Sequence, residues 1–200
     1  MALHDPLTGL PNRTRFAMLV DELLAAAAPL KKQLAVIGVD LDRFKEINDS
    51  QGHAAGDLVL QSIAQRLGEM LGEGEAVARL GGDEFAACKM FANRSELNDF
   101  LARLRNAIIA PIGDSEHHFV VDGSIGIAIC PNDGTDRETL LNNADLAMYR
   151  AKATLGENLC FFQHGMDETA RQRRQLAADL RHAVDRGELS LLYQPQRSLH

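Results

Sequence analysis

The chain has 200 residues, enough for one domain of ordinary size with something left over. Lysine and arginine number 21 against 28 aspartates and glutamates, a net charge of −7, which argues against a general nucleic-acid or anionic-membrane surface. Any phosphate ligand must therefore be met locally, by a cation or a few basic side chains. Cys88, Cys130 and Cys160 are far apart, sit in apolar contexts and lack metal-type spacing, so they read as reduced core residues of a cytosolic domain. No apolar run approaches the roughly 18 residues of a membrane span, and Met1 opens no signal-peptide pattern. The expected location is the cytoplasm, with membrane or sensor domains conceivable upstream in a parent protein.

In chain order, Pro11 and Asn12 stand where a helix begins, and Phe16, Leu19, Val20, Leu23, Leu24 and Ala27 repeat at helical spacing up to Pro29. Leu34 to Val39 is nearly all apolar, as a strand buried on both faces should be. It ends in Asp40-Leu41-Asp42, where a period of two puts both aspartates on one face. The turn-rich run Asn48 to His53 leads into a helix striped with Val59, Ile63, Leu67 and Met70, ending near Gly72. Two short strands, Ala76–Leu80 and Glu84–Met90, flank Gly81-Gly82, and the glycines supply the positive φ that a two-residue hairpin turn needs. Ser95 can cap a helix carrying Leu97, Phe100, Leu101, Leu104 and Ile108, stopped by Pro111. Phe119–Val121 and Ser124–Ile129 read as a strand broken by Asp122-Gly123. Thr135 with Glu138 makes a capping box for a helix with Leu140, Leu141, Ala144, Met148 and Ala151. A last strand covers Leu159–Phe162.

Helices thus alternate with strands around one hairpin, which predicts an α/β (α+β) fold: a central mixed sheet flanked by helices. From Met166 the texture changes. A further helix is predicted with Leu176, Leu180 and Val184 inward and Arg171, Arg173 and Arg174 solvated, ended by Gly187 and followed by a strand start at Glu188. His117-His118 is assigned to the surface, because adjacent strand residues point to opposite faces.

Two acidic pairs carry the chemistry. Asp83 and Glu84 sit at the mouth of the glycine turn, and adjacent carboxylates repel unless a cation lies beside them. Asp40 and Asp42 close the first strand. Taken singly, each pair also fits a solvated turn or a loop start. The string Gly81-Gly82-Asp83-Glu84-Phe85 resembles the signature of the GGDEF family, the diguanylate cyclases. Flanking segments resemble the same family in the same order: Asp5-Pro6-Leu7-Thr8-Gly9-Leu10-Pro11-Asn12-Arg13, then Asp40 to Asp49 with Gly52-His53 and Gly56-Asp57, and Ala144 to Lys152. The resemblance covers about residues 1–160. The run Glu188 to Gln196 is similar to the opening of an EAL domain, the cyclic di-GMP phosphodiesterase family. None of that family's catalytic carboxylates is present. The expected organisation is a GGDEF domain over 1–163, a linker helix over 164–187 and the truncated start of an EAL domain over 188–200.

The resemblance implies a palm-like, ferredoxin-type core similar to nucleotidyl cyclases and polymerases, with the hairpin bearing the signature. It implies condensation of two GTP molecules into cyclic di-GMP and pyrophosphate with Mg²⁺ or Mn²⁺. Asp40, Glu84 and the Leu41 carbonyl become metal ligands. Asp83 and Glu84 become the catalytic carboxylates, Asp83 as base or additional metal contact. Asn48 and Asp57 match the guanine-reading pair, an amide and a carboxylate suited to the Watson–Crick edge. On the residues alone, Asn48 would be a turn residue and Asp57 a helix cap. Lys45 and Lys152 match triphosphate contacts, helped by backbone N–H groups around Arg43 and Phe44, with Gly82 also at the substrate. Each site holds one GTP, so catalysis requires a homodimer of facing domains.

Two positions depart from the family pattern. The inhibitory product site needs an Arg and an Asp where this chain has Gly72 and Glu75, so feedback through that site is not expected. After Lys152, one extra residue and Glu157 replace a basic residue near the phosphates. Two functions follow: a diguanylate cyclase, or a catalytically weak GTP-binding module that regulates a C-terminal EAL domain in cis.

Overall fold

The computed structural model describes residues 3–113, 118–154 and 156–165. The chain divides at His164/Gly165, and the expected linker helix and EAL start, with the Arg171–Arg174 cluster, lie outside the described residues, as does His117. The element order is α1 (Arg13–Ala27), β1 (Gln33–Leu41), α2 (Phe44–Gln51), α3 (His53–Glu69), β2 (Glu75–Gly81), β3 (Glu84–Phe91), α4 (Arg94–Ile109), β4 (Ile112–Gly113), β5 (His118–Phe119), β6 (Gly123–Cys130), α5 (Arg137–Ala153) and β7 (Leu159–Phe161).

Five strands form one mixed sheet in the order β2-β3-β1-β6-β7, antiparallel except for the parallel β6–β7 pair. The first four follow the βαββαβ arrangement of a ferredoxin-type core, as expected. β1 lies at the centre and its parity divides the interior. Ala35, Ile37, Val39 and Leu41 face a core built with α3 and α4, including Ile63, Leu67, Phe100 and Leu104. Leu34 and Val36 face a second core with Phe16 and Val20 of α1 and Leu140 and Ala144 of α5. The even-numbered face of β1 therefore meets α1 and α5, which decides where Asp40 points.

A close approach fixes α5 on that face. Gly38 and Gly126 are register partners on β1 and β6. A Cβ at Gly126 would stand 2.1 Å from the Ala144 carbonyl oxygen and from the Met148 nitrogen, so only glycine allows the helix backbone to touch the sheet.

Local expectations needed correction where several polar residues compete for one boundary. The run Asn48–Gln51 is not a turn: it is the second half of α2, a helix anchored by buried Phe44 and ended by Gly52 at φ 86°. Asn48 is thus helical, and Asp57 lies inside α3 rather than capping it. α4 is capped by Asn93, whose side chain accepts from the Glu96 N–H, not by Ser95. α5 is capped by Asp136, accepting from the Thr139 N–H, not by Thr135. In the hairpin, Gly81 pairs with Glu84, so Gly82 and Asp83 form the turn, with Gly82 at φ 54°. Phe119 does not continue into β6: it belongs to a separate two-stranded ribbon with Ile112.

Candidate active site

Register brings the two acidic segments together. Asp40 on β1 is the direct antiparallel partner of Glu84 on β3. Alternation places both on the α1/α5 side, since Ala86 and Cys88 face that core while Phe85 and Ala87 face the other. Like charges directly opposite on a sheet repel, so this pair calls for a cation. The Leu41 N–H donates to the Asp83 carbonyl at 3.2 Å, tying the turn to the end of β1, while the Leu41 side chain is buried in the α3/α4 core.

The hairpin turn is braced from the N-terminal segment. The Arg79 guanidinium donates twice to the Gly82 carbonyl, at 2.8 and 3.1 Å, and once to Asp5 at 2.9 Å. Asp5 also accepts from the Thr8 N–H and hydroxyl. Burial pushes the Asp5 carboxyl up, but the hydrogen bonds from Thr8 and Arg79 outweigh it and leave it below the ordinary range. The turn that carries Asp83 is therefore rigid at its base.

Two basic side chains reach the carboxylates. Lys152, in the last turn of α5, places Nζ 2.6 Å from Asp40 Oδ1. Its pKa is raised by that hydrogen bond, which outweighs partial burial, with the charges of Asp40, Asp83 and Asp42 adding. Arg13, at the start of α1, lies 3.5 Å from Glu84 Oε2. Asp145 on α5 keeps contact with solvent, yet burial of part of its carboxyl raises its pKa; the Glu84 charge adds to this and Arg13 opposes it. Arg13 and Asp145 were not singled out from sequence, although both lie inside the quoted motifs. Their proximity to Glu84 arises only when α1 and α5 pack on the same sheet face.

Toward β6, Asp42 stands just past the end of β1 and accepts from the hydroxyl of Ser124, the register partner of Asp40 and only 2% exposed. Arg43 follows in the left-handed region at φ 57°, and α2 starts from it without a side-chain cap. Its first-turn N–H groups, at Phe44 and Lys45, are the kind of donors a helix N-terminus offers to anions. Among the described residues, a cavity of about 760 Å³ opens here, lined by Asp42, Arg43, Glu46, Ser124, Lys152 and Asn158 among others. Asn48 and Asp57 are not part of that lining. They sit on adjacent helices: a Cβ at Gly56 would stand 2.0 Å from Asn48 Oδ1, so Gly56 lets the Asn48 amide settle beside the start of Asp57. Asp57 and Lys45 are exposed, as is Gly82 at the turn.

The donor set suits a hard divalent ion. Among the described residues no three His, Cys, Asp or Glu side chains gather into a metal cage. Mg²⁺ is commonly held by one or two carboxylates plus substrate phosphates and water rather than by an all-protein cage, and the Asp40–Glu84 pair fits that pattern. The cysteines take no part: Cys88 is buried, and burial pushes its thiol up to about 12.

The family model described as "Diguanylate cyclase, GGDEF domain" matches residues 2–158. The bifunctional diguanylate cyclase/cyclic di-GMP phosphodiesterase MucR of Pseudomonas aeruginosa is 39% identical over 196 residues, which are 98% of this chain and 29% of MucR. The diguanylate cyclase TpbB of the same species is 46% identical over 155 residues, 76% of this chain and 35% of TpbB. A solved structure of the GGDEF domain alone of P. aeruginosa TpbB superposes with TM-score 0.78 at 39% identity, covering 84% of this chain and 99% of that one. The chain spans about a third or less of these curated relatives' lengths. Among the described residues no helix is long and apolar enough to cross a membrane. By sequence and by fold alike, the chain belongs to the diguanylate cyclase GGDEF-domain family.

Proposed function

We propose that this domain is an active diguanylate cyclase, joining two GTP molecules into cyclic di-GMP with release of two pyrophosphates. The observation that supports it most is the cross-strand Asp40–Glu84 pair on the face to which α5 delivers Lys152. Asp40, Glu84 and the Leu41 carbonyl would hold Mg²⁺ or Mn²⁺, which supplies charge neutralisation at the triphosphate and lowers the pKa of the attacking hydroxyl.

The chain's own groups do the rest. Asn48 and Asp57 read the guanine edge, the amide giving and accepting and the carboxylate accepting from adjacent N–H donors. Lys45, Lys152 and the N–H groups following Arg43 and Phe44 hold the phosphates. Gly82 keeps the turn bare where the nucleotide lies. The 3′-oxygen of one GTP bonds to the α-phosphorus of the other as the bond to pyrophosphate breaks, and the hydroxyl proton passes to the Asp83–Glu84 carboxylates. A second such step closes the ring. Each domain holds one GTP, so two domains must face each other, and effective concentration and alignment provide much of the rate. A C-terminal EAL partner in cis and a cytoplasmic location complete the reading.

Glu157 supports a second reading. It is exposed in the loop after α5, an acid near the phosphate-binding end of the site, and would weaken turnover while leaving a GTP-binding regulatory module. Incubation with GTP and Mg²⁺ followed by chromatography separates the two. Cyclic di-GMP from the wild type and none from Asp40→Asn supports the cyclase; GTP binding without product supports the module.

A further inference from the structure

Each of the two carboxylates assigned to the metal already faces a protein cation, and neither cation is built in. Lys152 holds Asp40 at 2.6 Å with its own side chain 50% exposed, whereas Asp40 is only 15% exposed. Arg13 holds Glu84 at 3.5 Å with 69% of its side chain exposed. Structural cations in this molecule are more buried or more heavily bonded, and even Arg103, 43% exposed, contacts both Glu75 oxygens and the Met70 carbonyl. Arg79, 10% exposed, makes three hydrogen bonds, and Lys89, 13% exposed, ion-pairs a glutamate whose side chain is 2% exposed.

We infer that Lys152 and Arg13 are exchangeable counter-ions of the metal carboxylates, each holding one carboxylate until a divalent cation takes it and then becoming free for the triphosphate. The inference rests on the metal assignment proposed above. Geometry sets Lys152 in competition with the metal. An ammonium 2.6 Å from Asp40 Oδ1 takes one of the carboxylate's acceptor sites and repels an incoming divalent ion, while the charges of Asp42 and Asp83 favour a cation there. The lysine's flexible four-carbon stem and half-exposed head let it leave without disturbing α5. Its release places a positive charge beside the cavity it lines, next to Arg43, where a triphosphate would need it.

Competition of this kind has a signature that a plain phosphate-binding lysine lacks. Removing the Lys152 charge must strengthen binding of the bare metal and weaken binding of the metal–nucleotide. Mn²⁺ alone, titrated into the chain and followed by loss of the free-ion paramagnetic resonance signal, reads the first. The same titration with GTP present reads the second. Lys152→Met and Lys152→Gln, run in parallel with circular dichroism to check folding, should bind bare Mn²⁺ about three- to tenfold tighter than wild type, as removal of a competing state predicts. Both should bind GTP with Mn²⁺ about tenfold more weakly. Arg13→Met should shift bare-metal affinity in the same direction but by less, because its contact is longer and more exposed. Folded Lys152 variants whose bare-Mn²⁺ affinity is unchanged or weaker overturn the exchange. Asp40→Asn separates the two layers: if it leaves bare-Mn²⁺ binding untouched, the metal assignment itself fails and takes the exchange with it.

Discussion

The β2–β3 hairpin carries a glutamate near each end, and the two are held in opposite ways. Glu75, at the open end, has a side chain 2% exposed, ion-paired to Lys89 at 2.9 Å and Arg103 at 2.6 Å and accepting the Gly72 N–H at 2.7 Å. Glu84, at the turn end, is 47% exposed, lies opposite another carboxylate and has one distant arginine. A buried carboxylate with three partners is architecture: the Glu75 oxygens are occupied by Lys89, Arg103 and the Gly72 N–H, even though the Arg103 side chain is itself 43% exposed. A like-charged pair with loosely held counter-ions is a place where a ligand can enter. The contrast also bears on the regulation we propose, in which Gly72 and Glu75 take the positions that the resemblance gives to an arginine and an aspartate of an inhibitory product site. The arginine that does reach Glu75, Arg103, is taken up by Glu75 and by the Met70 carbonyl.

Glu84→Gln should break the active end with little effect on the fold. Cyclic di-GMP synthesis, read by chromatography, should fall at least about 100-fold if Glu84 is the metal ligand we propose. The melting temperature should stay within about 3 °C, because exposed ion pairs contribute little. Loss of both activity and fold would erase the distinction between the ends.

Gly126→Ala tests the packing that brings Lys152 to Asp40. Its new Cβ meets helix backbone, which cannot give way, so stability to urea should drop by about 3 kcal/mol or more. Glu75→Gln tests the closed end, with an expected cost of about 1–3 kcal/mol, since Arg103 and Lys89 lose a buried partner. Turnover per folded molecule should change by less than about twofold, a margin that no metal-ligand substitution would leave.

That cost should depend on pH with a definite sign. Burial raises the Glu75 carboxyl, but hydrogen bonds from Arg103, Lys89 and the Gly72 N–H outweigh it and leave it below its ordinary value. A folded pKa lowered in this way contributes stability that is complete above the ordinary value of about 4.3 and is lost as the pH falls through the folded value. The stability gap between wild type and Glu75→Gln should therefore be flat near neutrality and shrink below pH of about 4. A gap that widened on acidification would contradict the cluster. The smallest effect expected is none: added cyclic di-GMP should not inhibit through the Glu75 cluster, so Glu75→Ala and wild type should show the same product-inhibition curve.

Much of this was legible in the chain, for a physical reason. β1 is apolar on both faces because both are covered, and the period of two then dictated that Asp40 would face whichever helices lie on the even side. The hairpin was readable because few residues besides glycine tolerate φ near +54°. α2 was not readable, since Asn48, Asp49 and Ser50 favour turns locally and the helix is anchored by Phe44, buried beside Gly56 of α3. Helix caps slipped by one or two residues wherever Asn, Ser, Thr or Asp stood side by side, as at Asn93/Ser95 and Thr135/Asp136. The metal pair could be suspected from motifs, but the Asp40–Glu84 register could not, because strand order is a tertiary fact. Arg13 and Asp145 were hidden for the same reason.

The most direct test follows the rate of cyclic di-GMP formation from GTP and Mg²⁺ over a wide range of protein concentration, with Glu84→Gln beside it. Two domains facing each other, one GTP in each, predict a rate that rises more steeply than protein concentration at the dilute end, becomes proportional once dimers dominate, and is absent in the variant. Product formed in strict proportion at every concentration, or formed equally by Glu84→Gln, would contradict an active site completed by a second domain around the Asp40–Glu84 pair.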